Sequence, residues 1–404
     1  MKVVYSHCCG LDVHKRSVVA CLLTAESKEV RTFGTTTTAI RGMADWLVQA
    51  GCTHVAMEST GVYWRPLYNL LEETSLEIWV VNARHIKAVP GRKTDVRDAE
   101  WLADLLRHGL VRPSLIPDRR QRELQDLIRY RRSLIAERAD EANRIQKVLE
   151  GANIKLASVI SNILGVSGRA MLQAMIEGET DAHRLAEQAQ THLKATAEHL
   201  EDALSGQVGA HQRFLLATQL RHVDYLTGEI ARLDGAIEER MRPFADEIAR
   251  LDTIPGIGVQ RAQEIIAAIG VDMSRFPSAG HLASWAKLCP GTKESAGKRA
   301  PAGIGKGNPY LRVTLTEAAW AATRTKTYLA AQYRRLAARR GGKRAIIAVA
   351  HSILVIVYHI LKDGTMYEDL GQNYFDERDK DAVIRREVRR LEKLGCKVTV
   401  ERAA

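Results

Sequence analysis

The hydrophobic pattern of this chain changes near residue 115, and this change limits the folds open to it. Up to about residue 112, short apolar runs alternate with stretches of helical periodicity, which is typical of an α/β domain. Beyond residue 118, apolar residues recur at helical spacing over long stretches. Because 404 residues are too many for one compact core, we predict an α/β domain over residues 1–115 followed by all-α domains.

The amino-terminal segment is predicted to hold five strands and three helices. The strands are VVYSHCCGLDV, SVVACLLT, EVRTFGTTT, THVAMES and LEIWVVN. Helices are predicted over residues 39–50 and 64–73 and over DVRDAEWLADLLRHG, which Gly109 ends and Pro113 follows.

Two apolar stripes predict long helices in the middle segment, residues 116–250. The first stripe consists of Leu124, Leu127, Leu134, Ile145 and Leu149. The second consists of Val223, Leu226, Ile230, Leu233 and Ile237. These helices could be two arms of one intramolecular hairpin or part of an intermolecular coiled coil, and the sequence leaves both arrangements open.

The segment 251–365 is predicted to be mostly helical. Its opening, LDTIPGIGVQRAQEIIAAIG, resembles a helix-hairpin-helix, whose turn offers backbone N–H groups to a DNA phosphate, although a structural helical hairpin has the same pattern. The apolar run 345–361 contains His351, Ser352 and His359 and is short for a membrane span, so we predict a buried helix. The charged tail, residues 366–404, is predicted to form a helix over 379–394 and a strand at KVTVE.

Composition favours a nucleic-acid partner in a reducing compartment. The formal net charge is +11, which attracts polyanions, although a solvated basic surface has the same composition. Candidate nucleic-acid contacts are Lys93, Arg97, Arg131, Arg132, Arg144, Lys293, Lys298, Arg299, Lys306, Arg312, Arg334, Arg335, Arg339 and Arg340. The six cysteines form no CxxC pair and indicate neither a zinc module nor a disulfide framework. With no secretion signal or membrane span predicted, we expect a cytoplasmic protein.

Four carboxylates occupy positions suited to metal-dependent phosphoryl transfer. Asp12 lies near the end of the first strand and Glu58 at the end of a later one, while Asp95 and Asp98 in KTDVRDA share one face of a helix start. Hard carboxylate oxygens hold Mg²⁺ or Mn²⁺, which can activate a nucleophile and stabilise a leaving oxygen. Acidic residues also favour helix N-termini for structural reasons alone, so Asp95 and Asp98 carry this second interpretation.

Ser295 lies in a predicted loop of small and basic residues. Glycines 297, 303, 305 and 307 would let the backbone approach a phosphate, and nearby lysines and arginines would stabilise its charge. A serine there could attack phosphorus, although serines in such loops are commonly turn residues.

Three motifs in fixed order, GLDVHK, AMESTGVYW and KTDVRDA, resemble the amino-terminal domain of the DEDD insertion-sequence transposases. IPGIGVQRAQEIIAAIG, FPSAGHLASWAKLCPGTKESAGKRAPAGIGKGNPYLR and the following apolar helix resemble the carboxy-terminal transposase domain of the same family. The family serine is often followed directly by glycine, whereas Ala296 intervenes here. Gly297 is close enough that Ser295 is chosen over Ser278 and Ser284.

This resemblance implies an RNase H-like, resolvase-like amino-terminal fold with Asp12, Glu58, Asp95 and Asp98 as the acidic tetrad and Ser295 as the nucleophile. It further implies a recombinase guided by a structured bridge RNA that pairs with donor and target DNA. The protein would act as a homo-oligomer, a dimer or tetramer, in which different subunits can supply the acidic site and the serine. Such a prokaryotic enzyme would associate with the nucleoid when active.

Three alternatives compete with this interpretation. A junction-resolving nuclease would use the same carboxylates to activate water and would leave Ser295 as a turn residue. GLDVHK also resembles the first phosphate-binding strand of a sugar kinase or actin-like ATPase, but DVRD and the lack of a DxGGGT-like second loop count against that class. A non-catalytic nucleic-acid scaffold built on the long helices is the third.

Overall fold

A computed structural model describes residues 2–59, 61–82, 95–190, 193, 195–291, 293–295, 297–300, 303–305 and 307–401, and it describes the backbone alone at 95–97, 293–295 and 298–300. The chain divides into two compact units, Met1–Arg119 and Arg120–Ala404, each of which is described by itself. The first is close to the α/β domain expected over residues 1–115. The finer division at residues 250 and 365 stays a prediction.

The first unit is built on a mixed five-stranded sheet in the order β3-β2-β1-β4-β5. Its strands are β1 (Cys8–Val13), β2 (Ser17–Leu23), β3 (Lys28–Gly34), β4 (His54–Glu58) and β5 (Glu77–Val81). Strands β1 to β3 form an antiparallel meander, whereas β4 runs parallel to both β1 and β5. All five strands predicted from the sequence are therefore confirmed, and the sheet is compatible with an RNase H-like domain.

Helices cover both faces of this sheet. Helices α1 (Thr37–Gln49) and α2 (Trp64–Leu71) pack on one face, with Leu11 and Met57 in the core between them and the sheet. Helix α3 (Asp95–Arg107) packs on the other face over Cys8 and Ala56. Because successive strand residues point to opposite faces, the two cores use alternate residues of β1 and β4.

The second unit begins with a long antiparallel helical pair, α4 (Arg119–Gly151) and α9 (Ala210–Met241). Three contacts set its direction: Arg131 pairs with Asp234, Arg138 donates to Thr227, and Glu141 pairs with His222. Residue numbers rise along one helix as they fall along the other. The structure thus forms the intramolecular hairpin, one of the two arrangements that the sequence left open.

Four shorter helices form the segment of chain that connects the two arms: α5 (Leu156–Val159), α6 (Val166–Glu177), α7 (Ala182–Glu187) and α8 (Ala197–Leu204). They share a core with the adjoining ends of both arms, including Ile145 and Leu216. The sequence interpretation, which treated residues 116–250 as long helices only, did not identify this helical module.

In the rest of the second unit, as far as the structure describes it, the regular elements are helices and one small hairpin. Its helices are α10 (Ala245–Asp252), α11 (Val259–Ile269), α12 (Ala279–Trp285), α13 (Pro309–Ala322), α14 (Tyr328–Arg340), α15 (Gly342–Asp363), α16 (Tyr374–Arg378) and α17 (Lys380–Lys393). Strands β6 (Lys293–Ser295) and β7 (Lys298–Ala300) form the hairpin. The predicted tail helix is confirmed, but the predicted strand at KVTVE is wrong, since 397–401 forms no strand in the described structure.

Helix α15 is the buried helix predicted from the apolar run 345–361. It is long and apolar enough to cross a membrane by composition alone, but half of its most apolar window is buried inside the protein. Ile353, Leu354 and Val357 are fully enclosed. Burial against neighbouring helices accounts for this hydrophobicity.

Candidate active site

Asp12 and Glu58 lie side by side at the carboxyl ends of two neighbouring parallel strands. The register of β1 and β4 pairs Leu11 with Met57, so Asp12 and Glu58 are the next positions along each strand. Leu11 and Met57 belong to the core under α1 and α2, and alternation places both carboxylates on the opposite face. The sequence-predicted pair therefore shares one face and one edge of the sheet.

Helix α3 covers that same face, and two contacts fix its direction. The Cys8 thiol donates to the carbonyl oxygen of Ala103 at 3.6 Å. Two residues further along β1, a Cβ added at Gly10 would lie 2.2 Å from the carbonyl oxygen of Ala99. The helix thus runs opposite to β1, with its amino end toward Asp12.

This direction brings the third acidic motif toward the first two. Asp98 immediately precedes Ala99 in the first turn of α3, and Asp95 is the first residue of that helix. The Asp95 side chain lies outside the described residues. All four predicted acidic positions therefore come from strand ends and a helix start that meet on one face of the sheet.

The donor set suits a hard divalent cation, because carboxylate oxygens are the ligands that Mg²⁺ and Mn²⁺ prefer. In the part of the chain that the structure describes, no three His, Cys, Asp or Glu residues form a group able to hold a metal ion. The residue types and their common edge of the sheet fit a divalent cation.

His14 contacts the predicted acidic site and was not identified from the sequence. Its Nε2 lies 3.0 Å from Oδ2 of Asp12 across the turn that joins β1 to β2. The side chain of Asp12 is 18% exposed and that of His14 is 56% exposed. The spacing in GLDVHK, with histidine two residues after the aspartate, is the signal that could have identified it.

Four cysteines lie within the sheet region of the first unit, and their thiols are expected to be unreactive at neutral pH. Cys8, Cys9, Cys21 and Cys52 are free thiols and buried. Burial raises the pKa of Cys8 and of Cys21 to about 11 and that of Cys52 to about 12. Because the thiolate is the nucleophile and the metal ligand, these residues pack as small apolar groups at neutral pH.

Ser295 ends strand β6 and does not lie in the irregular loop expected from the sequence. It pairs with Lys298 across a two-residue turn, in which Gly297 has φ +73°. Such a tight turn needs a residue that tolerates positive φ, and Gly297 fills that role. Ser278, one of the two alternative serines, caps α12 by accepting from the backbone of His281.

The basic residues predicted to contact nucleic acid fall into separate environments. Arg131 is 5% exposed and pairs with Asp234. Arg132 donates to Glu317 at 2.6 Å and also contacts Glu264. These two side chains hold helices of the second unit together, and whether they also contact nucleic acid stays a prediction.

The side chains of the other predicted basic contacts are more exposed to solvent or lie outside the described residues. Arg144 is 60% exposed beside Glu141, and Arg312 is partly buried. On α14, the predicted contacts Arg334, Arg335, Arg339 and Arg340 are all exposed. Lys93 and Lys306 lie outside the described residues, as do the side chains of Arg97, Lys293, Lys298 and Arg299.

The predicted helix-hairpin-helix has the expected two helices, α10 and α11, joined by TIPGIG. A Cβ added at Gly256 in this turn would lie 2.1 Å from the carbonyl oxygen of Ala318 in α13. Close packing between backbones therefore accounts for Gly256. A role for the turn in phosphate binding stays a prediction.

Comparisons with known proteins match both halves of the chain. A family model described as "Transposase", of the DEDD IS110 type, matches residues 9–154, and one described as "Transposase IS116/IS110/IS902 family" matches residues 248–334. The "Insertion element IS900 uncharacterized 42 kDa protein" of Mycobacterium paratuberculosis is 31% identical over 68% of this chain and 73% of its own length. The chain belongs to the IS110 transposase family.

Other relatives are consistent with this membership. This transposase is 27% identical to the "Insertion element IS110 uncharacterized 43.6 kDa protein" of Streptomyces coelicolor over 69% of this chain and 73% of the relative. It is 24% identical to the "Transposase for insertion sequence element IS1111A" of Coxiella burnetii over 79% of this chain and 80% of the relative. The protein is therefore a DNA transposase, of a family that is generally metal-dependent.

Proposed function

We propose that this transposase excises and inserts its element by attack of the Ser295 hydroxyl on a DNA phosphodiester, at a site completed by a cation bound to Asp12, Glu58, Asp95 and Asp98. One observation carries the acidic half of the proposal. Asp12 and Glu58 follow the paired residues Leu11 and Met57 on parallel strands, on the face that α3 covers.

The reaction conserves the number of phosphodiester bonds. Ser295 Oγ forms a bond to phosphorus while the bond from phosphorus to one deoxyribose oxygen breaks, and the departing oxygen takes up the proton that the serine loses. A hydroxyl of another strand then attacks the phosphoserine ester, joins the strands and returns the proton to Ser295. No water is consumed, so the energy needed for rejoining stays in the ester.

The acidic residues would hold Mg²⁺ or Mn²⁺, which stabilises negative charge at the phosphate when bound. Asp12 and Glu58 project from sheet strands, whose hydrogen-bonded neighbours restrain them, and Asp98 projects from a helix that packs closely on Gly10. Rigid supports of this kind keep ligands at the spacing a small cation requires. His14, 3.0 Å from Asp12, would orient that carboxylate.

The remaining parts of the proposal concern partners. The net charge of +11 supports binding of donor and target DNA and of a structured bridge RNA from the element. We propose a homo-oligomer, a dimer or tetramer, that works on nucleoid DNA in the cytoplasm. In this proposal, residues 1–115 supply the carboxylates, 116–250 mediate assembly and nucleic-acid contact, and 251–365 supply Ser295.

The direct test is a covalent adduct. A suicide DNA substrate, nicked so that the cleaved strand cannot rejoin, should leave DNA attached to the peptide that contains Ser295 after denaturation and mass spectrometry. Ser295→Ala should abolish the adduct, whereas Ser284→Ala, at an exposed serine of α12, should retain it. Release of free DNA ends without an adduct would instead support the hydrolytic nuclease, and an adduct at another residue would contradict Ser295.

The carboxylates are tested on the same substrate. Asp12→Asn and Glu58→Gln should lower the rate of adduct formation by several orders of magnitude, because each replaces a charged oxygen ligand by a neutral amide. Asp45→Asn is the matched control, since Asp45 is exposed on α1, over the opposite face of the sheet. Full cleavage by the Asp12 and Glu58 variants would remove these residues from the reaction.

A further inference from the structure

The carboxy-terminal tail carries a basic helix whose own packing does not explain its folding. Helix α17 has no buried residue along its fully described length. Six of its residues are basic, Lys380, Arg385, Arg386, Arg389, Arg390 and Lys393, against three acidic ones, Asp381, Glu387 and Glu392. Its apolar residues Val383, Ile384, Val388 and Leu391 are at most partly buried, so tertiary burial contributes little to the stability of the helix and a partner surface is the expected source.

The basic side chains of α17 form a continuous face. Arg385, Arg389 and Lys393 are spaced four residues apart, as are Arg386 and Arg390, and all five line one open depression. The side chains of Arg386 and Arg390 are 69% and 77% exposed. Residues four apart are neighbours on a helix surface, so these cations form a stripe that runs along the helix.

The tail is held against α14 by aromatic contacts. The ring of Phe375 in α16 stacks on that of Tyr328, with centroids 5.3 Å apart, and Tyr374 packs edge-on against Tyr328 at 5.2 Å. The Asp369 carboxylate accepts hydrogen bonds from the backbone N–H of Tyr328 at 3.1 Å and from that of Gly371 at 3.0 Å. The segment leading to α17 is therefore docked on the second unit.

This docking creates a groove of about 590 Å³ between α14 and the tail. Arg334, Arg335 and Arg339 line its α14 wall, and Arg386 lines the tail wall. Asp376 and Asp379 also line it, and the Asp379 side chain caps α17 by accepting from the backbone of Ala382.

The arginines of the α14 wall remain available to an anionic ligand. Arg335 lies over the ring of Phe375 at 4.9 Å, and both residues line the groove. Among the described residues, no carboxylate forms an ion pair with Arg334, Arg335 or Arg339. Arg386 on the tail wall pairs with Glu387 at 3.1 Å, so the cations of the α14 wall are the ones that a bound polyanion would neutralise.

We propose that the tail and α14 together form a DNA-binding groove, in which Arg334, Arg335 and Arg339 on one wall and Arg386 on the other contact the phosphates of duplex DNA. The stripe that continues along α17 extends the contact beyond the groove. DNA is the partner because this chain is a DNA transposase and arginine suits phosphate recognition. The proposal does not depend on Ser295 or on the acidic residues.

The test compares two variants that remove equal charge from the full chain. The groove variant combines Arg334→Gln, Arg339→Gln and Arg386→Gln. The control variant combines Lys28→Gln, Arg31→Gln and Arg41→Gln, at exposed positions of β3 and α1. Binding to a fluorescent 30-base-pair duplex is measured in EDTA over a range of salt concentrations, so that failure of the proposed chemistry does not affect the readout.

The groove variant should bind at least tenfold more weakly at 150 mM salt, and its slope of log K against log salt should fall by about 0.9 for each lost phosphate contact. The control should change both quantities much less. Equal losses in the two variants would show a general charge effect and overturn the proposal. A loss for an RNA hairpin without a loss for the duplex would overturn DNA as the occupant.

Hydrogen exchange gives a second measurement, because a general loss of positive charge would not change the exchange rates of α17 amides. Amides of α17 should exchange rapidly in the free protein, because none of its residues is buried, and should become protected when duplex DNA is added. The groove variant should lose this protection while α15, the buried helix, stays protected in both states. Unchanged exchange in α17 on DNA binding would contradict the proposal.

Discussion

Gly10 lies so close to helix α3 that a Cβ at this position would stand 2.2 Å from the carbonyl oxygen of Ala99. This contact sets the distance between α3 and the sheet. Gly10 precedes Asp12 by two residues, and Ala99 follows Asp98 directly. The distance between two elements that carry predicted metal ligands therefore depends on the absence of one methyl group.

Gly10→Ala should destabilise the protein by about 1–3 kcal/mol, because the added methyl group must displace helix backbone. DNA cleavage should fall further than stability alone explains, since Asp98 would move with α3. Urea denaturation and a cleavage assay at a temperature where the variant is folded measure the two effects. Gly42→Ala is the control: it lies in α1 with no atom within 4 Å of an added Cβ and should raise stability by about 0.5–1 kcal/mol. Normal cleavage by folded Gly10→Ala would contradict the coupling.

Arg131 should contribute to folding stability through Asp234. Arg131→Ala removes a nearly buried guanidinium from its carboxylate and should lower the free energy of unfolding by about 1.5–3 kcal/mol. Arg232→Ala, on the same helical pair but 78% exposed beside Glu229, should change it by less than about 1 kcal/mol. Chemical denaturation measures both. A stable Arg131→Ala variant with weakened, less salt-dependent nucleic-acid binding would instead favour the surface role predicted from the sequence.

The cysteines should react with thiol reagents in an order set by burial. At pH 8, Cys396 is exposed and should be labelled first, whereas Cys8, Cys9, Cys21 and Cys52 should react only after unfolding. Mass spectrometry of peptides after timed alkylation gives the order, and labelling in denaturant supplies the control. Rapid modification of Cys52 in the native protein would show that the sheet opens easily.

The same thiols predict how stability changes at high pH. The pKa of Cys8 rises from 9.0 to about 11 on folding, so the unfolded chain loses this proton at a lower pH than the native one. Stability from this group is intact below pH 9 and falls as the pH rises from 9 toward 11. Cys8→Ala should lessen that fall in denaturation experiments between pH 8 and 11, whereas Cys396→Ala should leave it unchanged.

Asp369 should control the attachment of the tail. Asp369→Ala removes the acceptor of the Tyr328 and Gly371 amides, so residues 364–393 should become more accessible to limited proteolysis. Cleavage sites mapped by mass spectrometry should fall in the tail and not in α15. Asp363→Ala, at the end of α15, is the control and should leave the digestion pattern unchanged.

If different subunits supply the acidic site and Ser295, mixtures of inactive variants should recover activity. Asp12→Asn and Ser295→Ala proteins, each inactive alone, should regain a measurable fraction of recombination when they are mixed and allowed to exchange subunits. A mixture of Asp12→Asn with Glu58→Gln should stay inactive, because both lack the acidic site. Equal recovery in both mixtures would indicate residual activity of the single variants and not sharing.

The sequence by itself determined the elements that local pattern controls. Short apolar runs in β1, β2 and β4 and helical periodicity in α1, α3 and α15 gave the strands and helices, because a short apolar run bounded by turn residues indicates a strand and a period of 3.6 indicates a helix. The order of GLDVHK, AMESTGVYW and KTDVRDA gave the family. Both signals are contained in short stretches of chain, so they need no knowledge of long-range contacts.

Tertiary structure alone decided which residues are neighbours. The sequence predicts Arg131 to be a nucleic-acid contact, whereas the antiparallel pairing of α4 with α9 places it against Asp234. The turn between β1 and β2 places His14 against Asp12, a contact that the sequence pattern does not show. KVTVE has the composition of a strand but lacks a partner in the described structure, and a strand without neighbours leaves its hydrogen bonds unmade. Such pairings depend on contacts between distant segments, which no local pattern encodes.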